Sequence, residues 1–240
     1  PSNPLLRITD IETIAKAAHD AGAWVVADNT FLSPVGPKPL ELGADVVLHS
    51  TTRYINGHSD VVGGVVIAKD AALAEELAWW GNCLGLTGSP FDSFQTMRGL
   101  RTLNVRFREH EKNAAAVVEC LRGHPGVKKV YYPGLSDHPG HDIAARQQKS
   151  FGAMISFELE AANASMPKFL EPLRLFTLAE SLGGVESLIA HPCTMTHAAM
   201  AEEDHRAAGL SEGLLRLSIG IENAEDLVSD LENGFSALGF

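Results

Sequence analysis

The segment HSTTRYINGHSDVVGG, residues 49–64, holds the side chains best suited to chemistry. Its hydroxyl residues directly follow the short apolar run 46–48, and its closing glycines allow close approach of the backbone. Hydroxyls and free backbone amides suit a phosphate group. Capping of a strand end explains the same hydroxyls, so the residues alone leave both interpretations open.

The pair Asp28-Asn29 follows another apolar run, residues 24–27. In open α/β sheets, ligands bind outside the carboxyl ends of the strands. If the two runs are strands of one sheet, Asp28 and the pair His49-Ser50 point at one site. A turn aspartate that only caps the strand is the alternative interpretation of Asp28.

Arg216 lies inside the apolar stretch LLRLSIG. An unpaired charge in a buried strand is costly, so we expect this guanidinium to have a partner. An internal salt bridge is one possibility, and a ligand carboxylate gripped by the planar fork is the other.

The histidines and cysteines do not indicate a metal site. His138 and His141, and the histidines between residues 191 and 197, lack cysteines or carboxylates at a recognisable ligand spacing. The cysteines Cys83, Cys120 and Cys193 are odd in number and have no CxxC spacing, so a disulfide framework is not indicated either.

The elements that must position these residues are predicted to form an α/β arrangement. A capping box from Thr9 to Glu12 predicts a helix of about three turns that ends at Gly22. The unalternating apolar runs 24–27, 46–48 and 61–68 predict parallel strands buried on both faces.

The second part of the chain begins with Ser89-Pro90, which predict the start of a long helix reaching Leu121 and bridging two domains. After residues 124–126, separated strands at 129–132, 154–159 and 214–219 predict a smaller α+β domain. An amphipathic stripe closes the chain, with apolar residues at 227, 228, 231 and 238.

Composition and charge limit the function classes. The chain has 240 residues, of which 45% are hydrophobic and 20% charged, as in ordinary globular proteins. Its formal charge of −11 opposes binding to nucleic acid or an anionic membrane. Since no apolar run approaches the ~20 residues that span a bilayer, we expect a cytoplasmic protein. The opening Pro-Ser-Asn-Pro resembles a turn between elements, so we expect a piece of a longer chain.

Residues 49–64 resemble the SxTKYxxGHSD signature of the cystathionine γ-synthase family of Cys/Met metabolism enzymes, which use pyridoxal 5'-phosphate (PLP). DNTF, at residues 28–31, is similar to the other PLP-site phrase of that family. The likeness continues through AWWGNCLGLTGSPFDSFQTMRGLRTL, RQQKSFGAMISFEL, LFTLAESLGGVESLIAHPCTMTHA and LLRLSIGIE, and covers essentially the whole chain.

The resemblance implies the type I PLP-dependent transferase fold, an α/β fold with a large, mostly parallel sheet domain and a smaller α+β domain. Residues 1–111 would be the C-terminal part of the PLP-binding large domain, and residues 112–240 the small C-terminal domain. The family's N-terminal part, with a phosphate loop, an aromatic ring stacked on PLP and arms to a neighbouring subunit, has no counterpart here. The resemblance also implies a homotetrameric parent enzyme.

The resemblance assigns roles by position. Asp28 would hold the pyridine nitrogen of PLP in its protonated form, which makes the ring an electron sink. The remaining positions fall into two groups, cofactor-binding (Asn3 at the ring hydroxyl, Ser50 and Thr52 at the phosphate) and substrate-binding (Arg216 at the α-carboxylate, with Glu180 and Ser181 bordering the substrate).

The sequence departs from the family at Arg53, which stands where the family has its Schiff-base lysine. A guanidinium stays protonated because its pKa is above ~12, so it is a poor nucleophile and a poor base. We therefore expect the reaction to be lost or severely slowed in this chain.

The reaction implied is γ-replacement, in which cysteine and an O-acylated homoserine such as O-succinylhomoserine give cystathionine for methionine biosynthesis. Cystathionine γ-lyase and O-acylhomoserine sulfhydrylase share the same residues and remain alternatives. A different class of function also fits Arg53, namely a catalytically inactive homologue that serves as a binding or assembly subunit.

Overall fold

The computed structural model describes residues 1–160 and 166–240. The helices of the described residues are α1 (Ile11–Asp20), α2 (Ala71–Cys83), α3 (Pro90–Leu121), α4 (His141–Gln147), α5 (Met166–Leu170), α6 (Glu202–Ala208) and α7 (Ala224–Leu238). The strands are β1 (Val26–Asp28), β2 (Val46–Ser50), β3 (Gly64–Ala68), β4 (Val127–Tyr131), β5 (Met154–Leu159), β6 (Thr177–Leu178), β7 (Leu188–Ala190) and β8 (Leu214–Ser218).

The first sheet has the strand order β1-β2-β3. β1 and β2 pair in parallel, as predicted, with Asp28 opposite Leu48. The prediction was wrong for β3, which pairs with β2 in the antiparallel direction. It was also wrong about burial, because β1 and β3 leave most of their residues exposed. Only β2, the central strand, has the burial expected of a strand covered on both faces.

The second sheet has the order β4-β5-β8-β7-β6 and is antiparallel except at the β6–β7 edge. β5, β8 and β7 lie at the centre of this sheet, and all of their residues are buried. β5 and β8 were predicted, whereas β7 was not. One face packs against the second half of α3 and against α7, whose Leu227, Leu231 and Phe235 are completely buried. The predicted strands 154–159 and 214–219 and the final amphipathic helix are confirmed.

The N-terminal caps of α1 and α3 can be compared with the caps predicted from the sequence. α1 begins one residue later than the predicted capping box requires, because the Asp10 side chain, and not that of Thr9, accepts a hydrogen bond from the Thr13 amide at 3.2 Å. α3 begins as predicted, with the Ser89 hydroxyl accepting from the Asp92 amide at 3.1 Å. α3 then runs without interruption to Leu121 and joins the two sheets.

Much apolar surface remains exposed around the first sheet and the first half of α3. The exposed residues include Trp24, Trp79, Trp80, Phe91, Phe94, Met97 and Leu100. Leu103 is where the predicted apolar face of α3 becomes buried. Among the described residues, no helix is long and apolar enough to cross a membrane.

Candidate active site

Parallel pairing brings the polar ends of β1 and β2 together. The Asn29 amide donates to the Leu48 carbonyl oxygen at 2.9 Å, and the Ser50 amide donates to the Thr30 hydroxyl at 2.9 Å. The Asp28 carboxylate is exposed, and one of its oxygens accepts from the Thr30 amide at 2.9 Å. The prediction that the two strand ends share one edge of the sheet is therefore confirmed.

A single helical turn of the π type, Thr51–Ile55, follows β2. Its Asn56 amide reaches back to the Thr51 carbonyl oxygen at 3.0 Å, a wider turn than that of an α-helix. Arg53 interrupts the helical geometry of this turn with φ −88° and ψ −134°. Thr52 anchors the turn through its hydroxyl, which accepts from the Gly63 amide at 3.0 Å and bonds the Gly63 carbonyl oxygen at 3.3 Å.

Arg106 on α3 holds the far end of the turn, and sequence reasoning missed this residue. Its buried guanidinium donates to the carbonyl oxygens of Tyr54 at 2.9 Å, Ile55 at 3.2 Å and Gly99 at 2.8 Å. A signal existed in the sequence, because Arg106 falls beside Leu103 and Phe107 on the buried stripe of α3. An arginine on such a stripe must find partners inside the protein.

Arg216 lies in the middle of β8 and is 2% exposed. It donates to the Asn3 side-chain oxygen at 2.9 Å and to the carbonyl oxygens of Glu180 at 2.9 Å and Ser181 at 3.1 Å. No carboxylate of residues 1–160 or 166–240 forms a salt bridge with it. The internal salt bridge considered from the sequence is therefore absent from this part of the chain.

Arg53 also bonds the loop that contains Glu180 and Ser181, because its Nη1 donates to the Ser181 hydroxyl. The structure thus brings together Asn3, Arg53, Glu180, Ser181 and Arg216, which are far apart in the sequence. Burial, together with the nearby charge of Arg53, lowers the pKa of Arg216 to about 10. Both guanidiniums remain protonated at neutral pH.

Three buried, uncharged groups lie in or near the turn that carries Arg53. Burial lowers the pKa of His49, the β2 residue next to Ser50, and its Nδ1 has no hydrogen-bond partner among the described residues. Burial also lowers the pKa of His110 to about 4, although its Nδ1 lies 2.7 Å from the Ile219 carbonyl oxygen. Burial raises the pKa of Tyr54, whose ring packs edge-on against that of His110. Both histidines are therefore neutral at pH 7.

The site fits non-covalent contacts to PLP but not its covalent attachment. The exposed Asp28 carboxylate offers an acceptor for a protonated ring nitrogen, and the hydroxyls of Ser50 and Thr52, at and just after the end of the neighbouring strand, offer donors for a phosphate. His49, with its unpartnered Nδ1, borders the same strand end. Arg53 offers only a protonated guanidinium, which cannot form the imine that a lysine forms.

The remaining histidines have structural partners. His138 accepts from the Gly140 amide at 3.1 Å, and His141 lies 2.9 Å from the Pro133 carbonyl oxygen. His191 bonds the Thr194 hydroxyl and the Glu212 carbonyl oxygen. No group of three potential metal ligands occurs within the described ranges.

Comparison with known proteins agrees with the resemblance seen in the sequence. The sequence model of the family "Cys/Met metabolism PLP-dependent enzyme" matches residues 1–236. A curated relative, cystathionine gamma-synthase of Escherichia coli, is 61% identical over 237 residues, which are 99% of this chain and 61% of the relative.

Solved structures match equally well. The chain resembles cystathionine gamma synthase from Xanthomonas oryzae pv. oryzae, solved with aminoacrylate and cysteine, at a TM-score of 0.97 and 65% identity, covering 100% of this chain and 62% of that one. It also resembles cystathionine gamma-lyase from Lactobacillus plantarum, solved with L-serine, at a TM-score of 0.95 and 46% identity, with the same coverage. The predicted α/β fold is confirmed, and the chain spans about three fifths of the length of these relatives.

Proposed function

This chain belongs to the Cys/Met metabolism PLP-dependent enzyme family, and on that premise we propose that its parent protein catalyses PLP-dependent γ-replacement. The proposed substrates are O-succinylhomoserine, or another O-acylhomoserine, and cysteine, with cystathionine as the product. One observation carries the proposal: Arg216 is buried without a carboxylate partner among the described residues, beside the position of the family's lysine. A substrate α-carboxylate would supply the missing negative charge.

The cofactor, when bound, supplies an electron sink for a carbanion next to the amino group. We propose that Asp28 keeps the ring nitrogen protonated, that Ser50 and Thr52 donate to the phosphate, and that Asn3 contacts the ring hydroxyl. Thr52 would turn its single hydroxyl hydrogen away from the Gly63 carbonyl oxygen to do so. The position of Ser50 and Thr52 at the end of β2, beside Asp28 at the end of β1, supports this assignment.

The proposed substrate-binding residues form a second group. We propose that Arg216 orients the substrate through its α-carboxylate, while Glu180 and Ser181 border the amino and side-chain groups. The hydrogen bonds from Arg216 to both of their carbonyl oxygens fix this loop beside the carboxylate position. Such fixed geometry matters because misplacement of a reacting group by about 1 Å can cost roughly 100-fold in rate.

Arg53 is the residue that limits activity. The family reaction needs an amine at this position that becomes neutral, first to bond the cofactor and then to move protons between carbon atoms. A guanidinium does neither at neutral pH. We therefore propose that the parent reaction requires lysine here, and that the chain as given is inactive or nearly so.

The test is a product assay with four proteins, namely this chain and the full-length protein, each with Arg53 or with Arg53→Lys. O-succinylhomoserine and cysteine should yield cystathionine only in the full-length lysine form. Comparable activity in the short lysine form would show that the remainder of the relatives' length is dispensable. No cystathionine in any form would refute γ-replacement.

The same assay separates the related activities. Breakdown of cystathionine supplied alone would indicate a γ-lyase, and homocysteine formed with sulfide as the thiol would indicate a sulfhydrylase. The similarity to both synthases and lyases keeps these alternatives open.

A second candidate function rests on Arg53 itself. Its guanidinium is held by Ser181 and lies close enough to Arg216 to affect its pKa, as in a site that binds an anion without chemistry. A catalytically inactive binding or assembly subunit would have this arginine in its native gene. Sequencing the gene for codon 53 therefore separates the two functions.

The proposal also covers domain organisation, location and subunit number. We propose a large PLP-binding part at residues 1–111 and a small domain at residues 112–240, a cytoplasmic location, and a homotetrameric parent enzyme. The exposed apolar side chains on α2 and the first half of α3 support assembly, because monomeric proteins rarely expose large apolar patches. Size-exclusion chromatography with light scattering on the full-length protein tests the subunit number.

A further inference from the structure

Two arginines meet at one residue in this chain. Arg53 donates from Nη1 to the hydroxyl of Ser181, and Arg216 donates from Nη2 to the carbonyl oxygen of the same residue at 3.1 Å. Arg53 follows the first sheet and Arg216 is part of the second, so the two guanidiniums approach from different elements.

The positive charges of this pair form no salt bridge within the described residues, and the carboxylate of Glu180 acts on Arg216 only from beyond salt-bridge distance. Within residues 1–160 and 166–240, no carboxylate oxygen lies within the 4.0 Å of a salt bridge to either guanidinium. Glu180 is the nearby acid, and Arg216 bonds its backbone carbonyl oxygen while its side chain is exposed. Two like charges without a counter-ion are unfavourable, the more so because Arg216 is removed from water.

The hydrogen-bonding capacity of the pair is also incompletely used. A guanidinium has five N–H donors. Arg216 uses three of them on Asn3, Glu180 and Ser181, and its buried Nε has no partner among the described residues. Arg53 is half-buried and donates to Ser181. The buried Nε is out of reach of a ligand, so the donors left for one are the second N–H of Nη1 on Arg216 and the remaining N–H groups of Arg53.

We propose that Arg53 and Arg216 together form a non-covalent binding site for a small dicarboxylate, with one carboxylate at each guanidinium. Two separate planar forks on different elements match two separate carboxylates better than one compact anion. The proposal goes beyond γ-replacement and takes from it only the role of Arg216 in binding a carboxylate. It also gives Arg53 a function that the lysine of the family does not have.

The test is calorimetric titration of the 240-residue chain without PLP, using succinate, with propionate as the monocarboxylate control and inorganic phosphate as the compact anion. Succinate should bind roughly tenfold more tightly than propionate, and more tightly than phosphate. Arg53→Gln should abolish the preference for succinate. Arg53→Lys, which keeps the charge but loses the planar fork, should reduce the preference for succinate, and Arg101→Gln, which removes an exposed charge elsewhere, should leave it unchanged.

Several outcomes overturn the proposal. They are no measurable succinate binding, equal binding of succinate and propionate, phosphate binding at least as tight as that of succinate, or unchanged succinate binding in Arg53→Gln. If Arg53→Gln does not fold, the ligand comparison on the unaltered chain still decides. Since neither cofactor nor turnover is involved, failure here leaves γ-replacement standing, and failure of the product assay leaves this site standing.

Discussion

Arg106 donates a hydrogen bond of 2.9 Å to the carbonyl oxygen of Tyr54, the residue that follows Arg53 in the chain. The same guanidinium bonds Ile55 and Gly99, and its Nε donates to the Thr102 hydroxyl at 3.1 Å. Burial lowers the pKa of Arg106, and its hydrogen bonds end on carbonyl and hydroxyl oxygens. α3 thereby fixes the turn that determines where residue 53 points.

Replacing Arg106 with methionine should destabilise the protein by about 3 kcal/mol, because buried carbonyl oxygens lose their donors. The loss should be local. Amide hydrogen exchange should accelerate at Asn56 and Gly57, whose amides close the turn, and stay slow in β5 and β8. Arg106→Lys, which keeps one charged donor, should have a stability between that of the unaltered chain and that of Arg106→Met. Uniform acceleration across both sheets would show that Arg106 stabilises the whole fold and does not specifically position the turn.

Gly57 should tolerate alanine much less well than Gly22 does. Both have a left-handed backbone, with φ +75° and φ +71°, so both substitutions cost about 1 kcal/mol of backbone strain. A Cβ at Gly57 would lie 2.1 Å from Nη1 of Arg106, whereas nothing lies within 4 Å at Gly22. Urea unfolding should therefore show an additional loss of roughly 2 kcal/mol for Gly57→Ala. In an Arg106→Ala background the additional loss of unfolding free energy for Gly57→Ala should become smaller. Equal losses for Gly57→Ala and Gly22→Ala would contradict a steric contact between residue 57 and Arg106.

PLP mixed with this chain and reduced with borohydride should leave no covalent adduct on residue 53, since a guanidinium does not form the required imine. Peptide mapping by mass spectrometry makes the measurement. Adducts on Lys38 or other exposed lysines are expected and do not count. A reduced adduct mapped to Arg53 would refute the chemistry on which the expected loss of activity rests.

Arg216→Lys, made in the full-length protein with lysine at position 53, should weaken amino-acid substrates by about 2–4 kcal/mol and PLP much less. A point charge replaces the two-pronged contact, and the bonds to Asn3 and to the loop at Glu180 and Ser181 cannot all be kept. KM and cofactor affinity are measured together. Asp28→Ala should behave in the opposite way, reducing kcat while substrate still binds. Equal losses of cofactor and substrate affinity in Arg216→Lys would assign Arg216 a structural role.

His110 should make the protein less stable in acid. Burial lowers its folded-state pKa to about 4, below the ordinary value of about 6.5 in the unfolded chain. Between those pH values only the unfolded state takes the proton, so the free energy of unfolding falls as the pH falls, by up to about 3 kcal/mol. The nearby charge of Arg106 acts in the same direction as burial.

The measurement is urea unfolding at several pH values between about 4 and 7. His110→Gln should be less stable at neutral pH but should lose less stability on acidification than the unaltered chain. His58→Gln, at an exposed position, is the matched control for removing one imidazole. An identical acid slope in the unaltered chain and in His110→Gln would contradict the neutral, buried imidazole.

The sequence alone determined the features that depend on near neighbours in the chain. The start of α3 at Ser89, the strands 154–159 and 214–219 and the closing helix were all predictable, because caps and apolar periodicity act within a few residues. Asp28 and Ser50 at one sheet edge were predictable too, since they directly follow adjacent parallel strands. Even locally, two neighbouring cap candidates, Thr9 and Asp10, could not be ranked without the geometry.

Only the tertiary structure decided which distant groups meet. The antiparallel direction of β3 depends on the path of the chain after the turn, and strand composition does not encode it. Arg216 bonds Asn3, 213 residues away, and Arg106 bonds the carbonyl oxygens of Tyr54 and Ile55, about 50 residues away, so these distant partners leave no local pattern. A buried guanidinium requires acceptors, but the packing of the whole chain selects them.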